Sequence, residues 1–80
     1  MSIIKLEEKL DFTENAIREN VNATISQLQR DRVDTLSMDD LYRRTSTQGV
    51  VCPEHVYRPM FERIARQVCL KRSFSIVRGE

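Results

Sequence analysis

The chain has 80 residues, with two glycines, two prolines, two cysteines and no tryptophan, and its formal net charge is +1. This length allows one small domain, which buries too little surface to be very stable alone. No stretch approaches the roughly 20 consecutive apolar residues of a membrane-spanning helix. The first ten residues carry four charges and lack the apolar core of a secretory signal, so we expect a reducing compartment and two free thiols.

Charge is distributed unevenly along the chain. Residues 1–40 carry five Lys or Arg against nine Asp or Glu, a net charge of −4, and residues 41–80 carry eight against three, a net charge of +5. The positive half is a moderate field, weaker than the dense basic surface of a dedicated nucleic-acid-binding domain. The two halves have complementary charges, so they would attract each other or partners of opposite charge.

The first predicted element is an amphipathic helix from about Glu14 to about Arg32. Thr13 suits the N-cap position, and Glu14 lies in the first turn, where the helix dipole favours a negative charge. Apolar residues recur at helical steps of four, four and three: Ile17, Val21, Ile25 and Leu28. We therefore assign residues 1–30 to an N-terminal amphipathic helical segment.

A short helix is predicted next, from Met38 to Arg44. Ser37 is a good N-cap residue for it. Acidic residues in its first turn and basic residues in its last turn complement the helix dipole: Asp39, Asp40, Arg43 and Arg44. The following letters, "TSTQG" at residues 45–49, are polar and end in glycine, which predicts a loop.

The third predicted helix carries the longest apolar stripe. Its members recur at steps of four, three and four, and Met60 and Ala65 widen it: Tyr57, Phe61, Ile64 and Val68. Pro53 suits a helix start, because no amide hydrogen is needed there. Pro59 either kinks the helix or lies in the first turn of a helix that begins near Arg58, and we favour the second.

The tail after Cys69 has two interpretations. Leu70, Phe74 and Val77 lie at helical steps, whereas the letters "SFSIV" alternate like a strand. No second strand is evident elsewhere in the sequence, and a lone strand is unstable. We therefore predict that the third helix continues, which gives an elongated all-α protein of two to three helices with a long C-terminal helix.

Cysteine and histidine side chains are too few for a metal centre. Cys52 and His55 have a spacing seen in zinc sites, but Cys69 stands alone and a structural zinc site takes four ligands in two close pairs. A Cys/His nucleophile pair is also not favoured, because such pairs are assembled from distant segments. We expect no metal, no cofactor and no enzymatic activity.

Two basic features point to other functions. The letters "RRTS" at residues 43–46 match a site for a kinase that prefers basic residues upstream, although so short a match often arises by chance. Other basic side chains are spread around the predicted third helix and would suit nucleic acid or an acidic protein, although a solvated face is the commoner explanation: Arg58, Arg63, Arg66, Lys71, Arg72 and Arg78.

The apolar stripes are long for so small a body. An 80-residue chain with apolar stripes on two or three helices has few other residues that could pack against those stripes and bury them. A partner helix or groove would satisfy such a stripe. We therefore expect a partner-stabilised helical protein.

Four segments in order resemble the light chain family of axonemal inner-arm dyneins. They are "RVDTLSMDDL", "GVVCP", "YRPMFERIARQVCL" and "KRSFSIVR", and together they span about residues 31–80. The positions that match the family pattern are Arg32, Val33, Asp34, Met38 and Leu41, then Gly49, Val50, Cys52 and Pro53, then Tyr57, Phe61, Glu62, Ile64, Arg66 and Val68, and last Arg72, Ser73, Phe74, Ile76, Val77 and Arg78. We therefore treat residues 31–80 as a dynein light chain-like segment.

The resemblance implies a non-catalytic subunit of a ciliary motor. Such a subunit binds a dynein heavy chain, with actin or a second light chain as further partners, in the cytoskeleton of the axoneme of cilia and flagella. Neither nucleic acid nor membrane is an expected partner. The expected partner-binding residues are Tyr57, Met60, Phe61, Ile64, Arg66, Val68, Phe74 and Arg78. The alternative is a small helical nucleic-acid-binding or adaptor protein unrelated to cilia.

Overall fold

The computed structural model describes the backbone of residues 6–77 and the side chains of residues 13–77. The elements follow in the order α1 (Leu6–Arg30), β1 (Thr35–Ser37), α2 (Met38–Arg44), α3 (Glu54–Lys71) and β2 (Ser75–Val77). The fold is therefore mostly helical, as predicted, with a small parallel sheet formed by β1 and β2. The prediction of an all-α protein missed this sheet.

Helices α1 and α3 lie side by side and run in the same direction. The residue numbers of the contacting side chains rise together on the two helices, which shows that the helices are parallel: Glu14 contacts Arg63, Arg18 contacts Gln67, and Asn22 contacts Arg72 just after α3. The apolar stripes predicted on the two helices meet in this interface. The buried core comprises Ile17, Val21, Ile25, Leu28, Leu41, Tyr57, Phe61, Ile64, Ala65, Val68, Cys69 and Phe74.

Helix α1 begins earlier than predicted. Thr13 is not an N-cap residue but lies inside α1, with its side chain fully buried. Its hydroxyl oxygen accepts a hydrogen bond of 3.4 Å from the amide of Val51, so the side chain serves a long-range contact instead of a helix start. The charged, leucine-containing segment before Thr13 consists largely of good helix formers, which explains why the helix extends upstream.

Both long helices end in the same kind of turn, and both turns lead into a strand. At the end of α1, Arg32 has a left-handed φ of 63°, and the amide of Val33 donates to the carbonyl of Leu28 at 2.9 Å. At the end of α3, Ser73 has φ 56°, and the amide of Phe74 donates to the carbonyl of Cys69 at 2.9 Å. These are Schellman motifs, in which the chain reverses out of the helix and leaves it in an extended conformation.

The predicted continuation of the third helix is therefore wrong. Helix α3 ends at Lys71, and the letters "SIV" form β2 instead. The missing partner strand is Thr35–Ser37, which pairs with β2 in parallel, with Leu36 opposite Ile76. Because α1 and α3 are parallel and end at the same level, their two exit turns place β1 and β2 next to each other.

Helix α2 has the predicted bounds and the predicted cap. The hydroxyl oxygen of Ser37 accepts a hydrogen bond of 3.1 Å from the amide of Asp40. The loop predicted at residues 45–49 is also present, and Gly49 has a φ of 83° within it. A Cβ atom at Gly49 would lie 3.0 Å from the Cβ of Ala16, so the close approach of α1 favours glycine there in addition to the left-handed φ.

Helix α3 contains Pro59 in its interior, contrary to the predicted start near Arg58. The helix begins at Glu54 with Pro53 as its N-cap residue, and Pro59 is its sixth residue. Proline removes the hydrogen bond that would reach the carbonyl of His55. Both Pro59 and His55 lie on the exposed side of the helix, where water can satisfy that carbonyl.

Candidate functional site

The predicted partner-binding stripe lies inside the protein. Tyr57, Phe61, Ile64 and Val68 are at most 4% exposed, because they form the α3 half of the interface with α1. Helix α1 covers more of this apolar surface than the short chain length suggested. In this fold these four side chains stabilise the chain itself and offer no surface to a partner.

The remaining predicted site residues are divided between the core and the surface. Phe74 is 4% exposed, and Met60 is half-buried and packs against the core. Arg66 is exposed on α3. Arg78 lies outside the described residues. Of the eight predicted residues, Arg66 alone is fully available at the surface in the described part of the chain.

A groove at the end of α3 carries Leu70, the most exposed large apolar side chain of residues 13–77. Leu70 is 84% exposed, and Val77 on β2 is 46% exposed. The groove has a volume of about 450 Å³ and is lined by Met38, Arg66, Cys69, Leu70, Phe74, Ile76 and Val77. These residues come from the start of α2, the last turns of α3, the exit turn and β2.

The exit turn explains why this groove is apolar and open. Successive residues of a helix point about 100° apart, so Cys69 faces the core while Leu70 faces outwards. Side chains of a strand alternate, so Ile76 packs against the core and Val77 points away from it. On the predicted continuous helix, Leu70 and Val77 lie on one stripe, so the sequence did not predict the groove. The basic pair Lys71–Arg72 before Ser73 was the available sign of a helix end.

Among the described residues that line the groove, Arg66 alone is charged. Among the described residues it has no ion-pair partner, in contrast to two arginines earlier in α3. Arg63 binds Glu14 at 2.7 Å, and Arg58 binds Asp39 at 2.6 Å. Within residues 13–77, the groove therefore combines an exposed apolar surface with a positive charge that has no acidic partner.

An aromatic cluster fixes α2 against the first half of α3. The ring of Tyr42 meets Phe61 edge-to-face at 5.1 Å and lies 5.4 Å from Tyr57. The guanidinium of Arg58 lies 4.3 Å from the centre of the Tyr42 ring, and it also binds Glu62 at 2.8 Å. Among the described residues, the side chains of Tyr42 and Arg58 have hydrogen-bond partners and only the hydroxyl of Tyr57 has none, so the cluster is a structural feature.

The exception is the hydroxyl of Tyr57, which is buried without a hydrogen-bond partner in the described part of the chain. Burial raises the pKa of Tyr57 to about 12. The hydroxyl therefore stays neutral under physiological conditions and would make a poor proton acceptor or nucleophile. We find no catalytic use for it in its surroundings of aromatic rings.

The three candidate metal ligands are not brought together. Cys52 precedes α3, His55 lies in its first turn, and Cys69 lies near its last turn, about 21 Å from His55 along the helix at 1.5 Å per residue. No group of three Cys, His, Asp or Glu side chains suited to a metal occurs in the described residues. Both thiols are free, and burial raises the pKa of Cys69 to about 11.

Comparison of the chain with models of protein families, with curated proteins and with solved structures finds no match. The resemblance described above therefore rests on the matched positions in residues 31–80. None of the helices in residues 6–77 combines the length and the apolar content needed to cross a membrane.

Proposed function

We propose that this protein is a non-catalytic accessory subunit of an inner-arm axonemal dynein. It binds a dynein heavy chain and supports assembly or attachment of the motor in cilia and flagella. The observation that carries the proposal is the apolar groove with its free arginine. All seven residues that line it belong to the segment that resembles the light chain family.

The joint arrangement of the four resembling segments supports the proposal. The first segment forms β1 and α2, the second forms the loop before α3, the third forms most of α3, and the fourth forms β2. The first and last segments meet, since the amide of Ser75 donates to the carbonyl of Asp34 at 3.0 Å. Segments that are separate in the sequence therefore form one contiguous unit, as expected for a motif that acts as a whole.

The proposed contact surface differs from the stripe that the sequence suggested. Arg66 remains in it, while Leu70 and Val77 replace the buried residues of α3 as the apolar contacts. Burial of an exposed leucine by a partner contributes about 1.5–3 kcal/mol when it is complete, which is typical of an interface anchor. Partner stabilisation, in this proposal, comes from covering the groove.

The occupant we propose is a heavy-chain segment with apolar residues and an acidic residue. The apolar residues would lie on Leu70 and Val77, and the acidic residue would pair with Arg66. The charge of the C-terminal half, +5 over residues 41–80, favours such a partner at longer range. Actin or a second light chain would bind elsewhere in the same complex.

The alternative nucleic-acid-binding function receives less support from the arginines. A recognition helix needs free cations along one face, but Arg58 and Arg63 are neutralised by carboxylates. Arg72 is also engaged, since it donates to Asn22 at 2.9 Å. A nucleic-acid contact would weaken steeply between about 50 and 200 mM salt, whereas a contact made mainly by the apolar groove would change little.

Affinity capture from a ciliary axoneme extract tests the proposal. The protein, tagged at its N-terminus, is incubated with the extract and washed at about 50 and 200 mM salt, a range that separates phosphate-driven from apolar binding. Bound proteins are identified by mass spectrometry. We expect a dynein heavy chain to be retained at both salt concentrations.

A pair of matched variants assigns the contact to the groove. Leu70→Asp places a charge in the groove and should reduce capture of the heavy chain at least about tenfold. Val51→Asp is the control, because Val51 is another exposed apolar residue, 58% exposed, but lies in the loop before α3. The proposal is wrong if no dynein component is retained from an extract in which a known light chain captures its own heavy chain. Equal capture by the two variants would move the contact away from the groove.

A further inference from the structure

The loop between α2 and α3 presents two exposed hydroxyl residues, Ser46 and Thr47, and Ser46 is the nearer of them to two exposed arginines at the end of α2. Ser46 is exposed, whereas its neighbour Thr45 is 5% exposed and donates its hydroxyl to the carbonyl of Leu41 at 2.7 Å. The hydroxyl oxygen of Ser46 accepts from the amide of Gln48 at 3.1 Å, which leaves its own proton unused. Of the hydroxyls of Thr45 and Ser46, only that of Ser46 is accessible to a second protein.

The two arginines before this serine are unengaged. Arg43 and Arg44 are exposed in the last turn of α2. Neither guanidinium forms an ion pair or a hydrogen bond with another described residue, unlike Arg58 and Arg63. They lie three and two residues before Ser46, which is the arrangement that basophilic protein kinases select through acidic pockets beside their active sites.

We propose that Ser46 is a phosphorylation site for a basophilic protein kinase. The kinase binds Mg·ATP as co-substrate, and the Ser46 hydroxyl oxygen attacks the γ-phosphorus of the ATP. The new O–P bond forms as the bond to the bridging β,γ-oxygen breaks, ADP leaves, and the hydroxyl proton passes to the catalytic carboxylate of the kinase. The proposal is independent of the dynein function, because it uses neither the groove nor the heavy chain.

The loop can enter a kinase active site at the loss of few intramolecular contacts. The backbone is already extended at Thr45, with φ −81° and ψ 130°. Between the loop and the described side chains of α1 there are two hydrogen bonds: Asn20 donates to the carbonyl of Gln48 at 2.9 Å, and the amide of Val51 donates to Thr13 at 3.4 Å. Helix α2 has only seven residues, so its last turn opens more easily than a turn of α1 or α3.

The same surroundings would hold the phosphate once it is attached. The amide of Gln48 already donates to the Ser46 oxygen, and a phosphate oxygen would accept that bond. Arg43 and Arg44 supply two positive charges against the roughly −1.5 to −2 charge of the phosphate. The modified loop would then be bound to the end of α2 more tightly than the unmodified loop.

Ser75 provides a matched comparison within the chain, because it also has an arginine three residues before it. That arginine, Arg72, is engaged by Asn22 and Gln29 of α1. The backbone of Ser75 is held in the parallel sheet, where its amide donates to Asp34. If the fold decides accessibility, the kinase will modify Ser46 and leave Ser75 unmodified, although both carry an upstream arginine.

The test uses the folded full-length chain, a purified basophilic kinase, Mg and radiolabelled ATP. Sites are assigned by tandem mass spectrometry, and a standard peptide substrate shows that the kinase is active. We expect one phosphate per chain, at Ser46. Ser46→Ala should reduce incorporation at least about tenfold, and R43A combined with R44A should raise the KM at least about tenfold, because these are the charge-assisted contacts to the kinase.

Two variants serve as controls, namely Ser75→Ala and Arg72→Ala, and neither should change the rate of incorporation by more than about twofold. Circular dichroism confirms that each variant is folded. Three results would each overturn the proposal: no phosphate on the wild-type chain, phosphate mainly at Ser75, or incorporation that persists in Ser46→Ala.

Discussion

Replacement of Phe61 by alanine separates a core role from a partner-binding role. Phe61 is fully buried, and its ring contacts both Tyr42 and Tyr57 at centroid distances of 5.1 and 5.8 Å. A Phe→Ala change in a core costs about 3–5 kcal/mol, because it removes the transfer free energy of the ring and leaves a cavity. The loss of two aromatic contacts places Phe61 towards the upper end of that range.

That cost is large compared with the whole stability of the protein. A stability of roughly 0.05–0.15 kcal/mol per residue gives about 4–12 kcal/mol for a chain of this size. Near the melting temperature, an unfolding entropy of about 2.1 cal/mol/K per residue converts 1 kcal/mol into roughly 6 °C. We therefore expect Phe61→Ala to lower the Tm by about 20–30 °C and to leave a substantial unfolded fraction.

Urea unfolding followed by far-UV circular dichroism measures the effect. Leu70→Ala is the matched control, because Leu70 lies on the same helix but is 84% exposed, and its unfolding free energy should change by less than about 0.5 kcal/mol. A Phe61→Ala loss below about 1 kcal/mol would refute the core assignment. The helical stripe would then have to face a partner, as the sequence alone suggested.

Three further changes test other parts of the structure. Gly49→Ala should destabilise the protein by about 1–2 kcal/mol in the same urea assay, because alanine disfavours positive φ and its Cβ would crowd Ala16. Ser37→Ala should cost about 1 kcal/mol, because the amide of Asp40 loses its acceptor, and Ser37→Asp should recover most of it. The pKa of Cys69 is raised from 9.0 to about 11 by burial, so at pH 8 its thiolate fraction is about 100-fold below that of an ordinary thiol. Timed alkylation with mass spectrometry should therefore show much slower modification of Cys69 than of the half-buried Cys52, and equal rates would contradict its burial.

Features with a local cause were predictable from the sequence. Helix α2 has a serine cap, acids at its start and arginines at its end, and all of these signals lie within eight residues. The apolar stripes of α1 and α3 were also predicted correctly, because the spacing of apolar residues at about 3.6 positions is a property of each helix alone. The apolar pattern alone could not show what each stripe packs against. A helix that packs on a partner protein and a helix that packs on another helix of its own chain have the same apolar periodicity.

Helix boundaries failed where a tertiary contact overrode a local preference. Thr13 has the chemistry of an N-cap residue, but its hydroxyl accepts from Val51, 38 residues away in the sequence. Pro59 disfavours a helix interior, but its cost is limited because the carbonyl it leaves unpaired is on the exposed side. Neither circumstance can be read from the residues next to Thr13 or Pro59.

The parallel sheet was missed because its strands carry almost no signal of their own. Each has three residues, and 40 positions separate paired residues such as Thr35 and Ser75. Their pairing depends on two helix ends that use Arg32 and Ser73 where Schellman motifs most often have glycine. Without glycine at those positions, the sequence gives no clear indication that the chain leaves each helix through a Schellman motif and enters a strand.

The turn at Ser73 decides which apolar side chains serve the core and which remain for a partner. If α3 continued as a helix, Leu70 and Phe74 would be four residues apart on one face and would share the same exposure. The turn reverses the chain, so Phe74 becomes 4% exposed while Leu70 stays 84% exposed. It also carries β2 alongside β1, which brings Val77 to the groove. The candidate binding surface is therefore a consequence of the helix end, and a substitution that let α3 continue past Lys71 would abolish the sheet and the groove together.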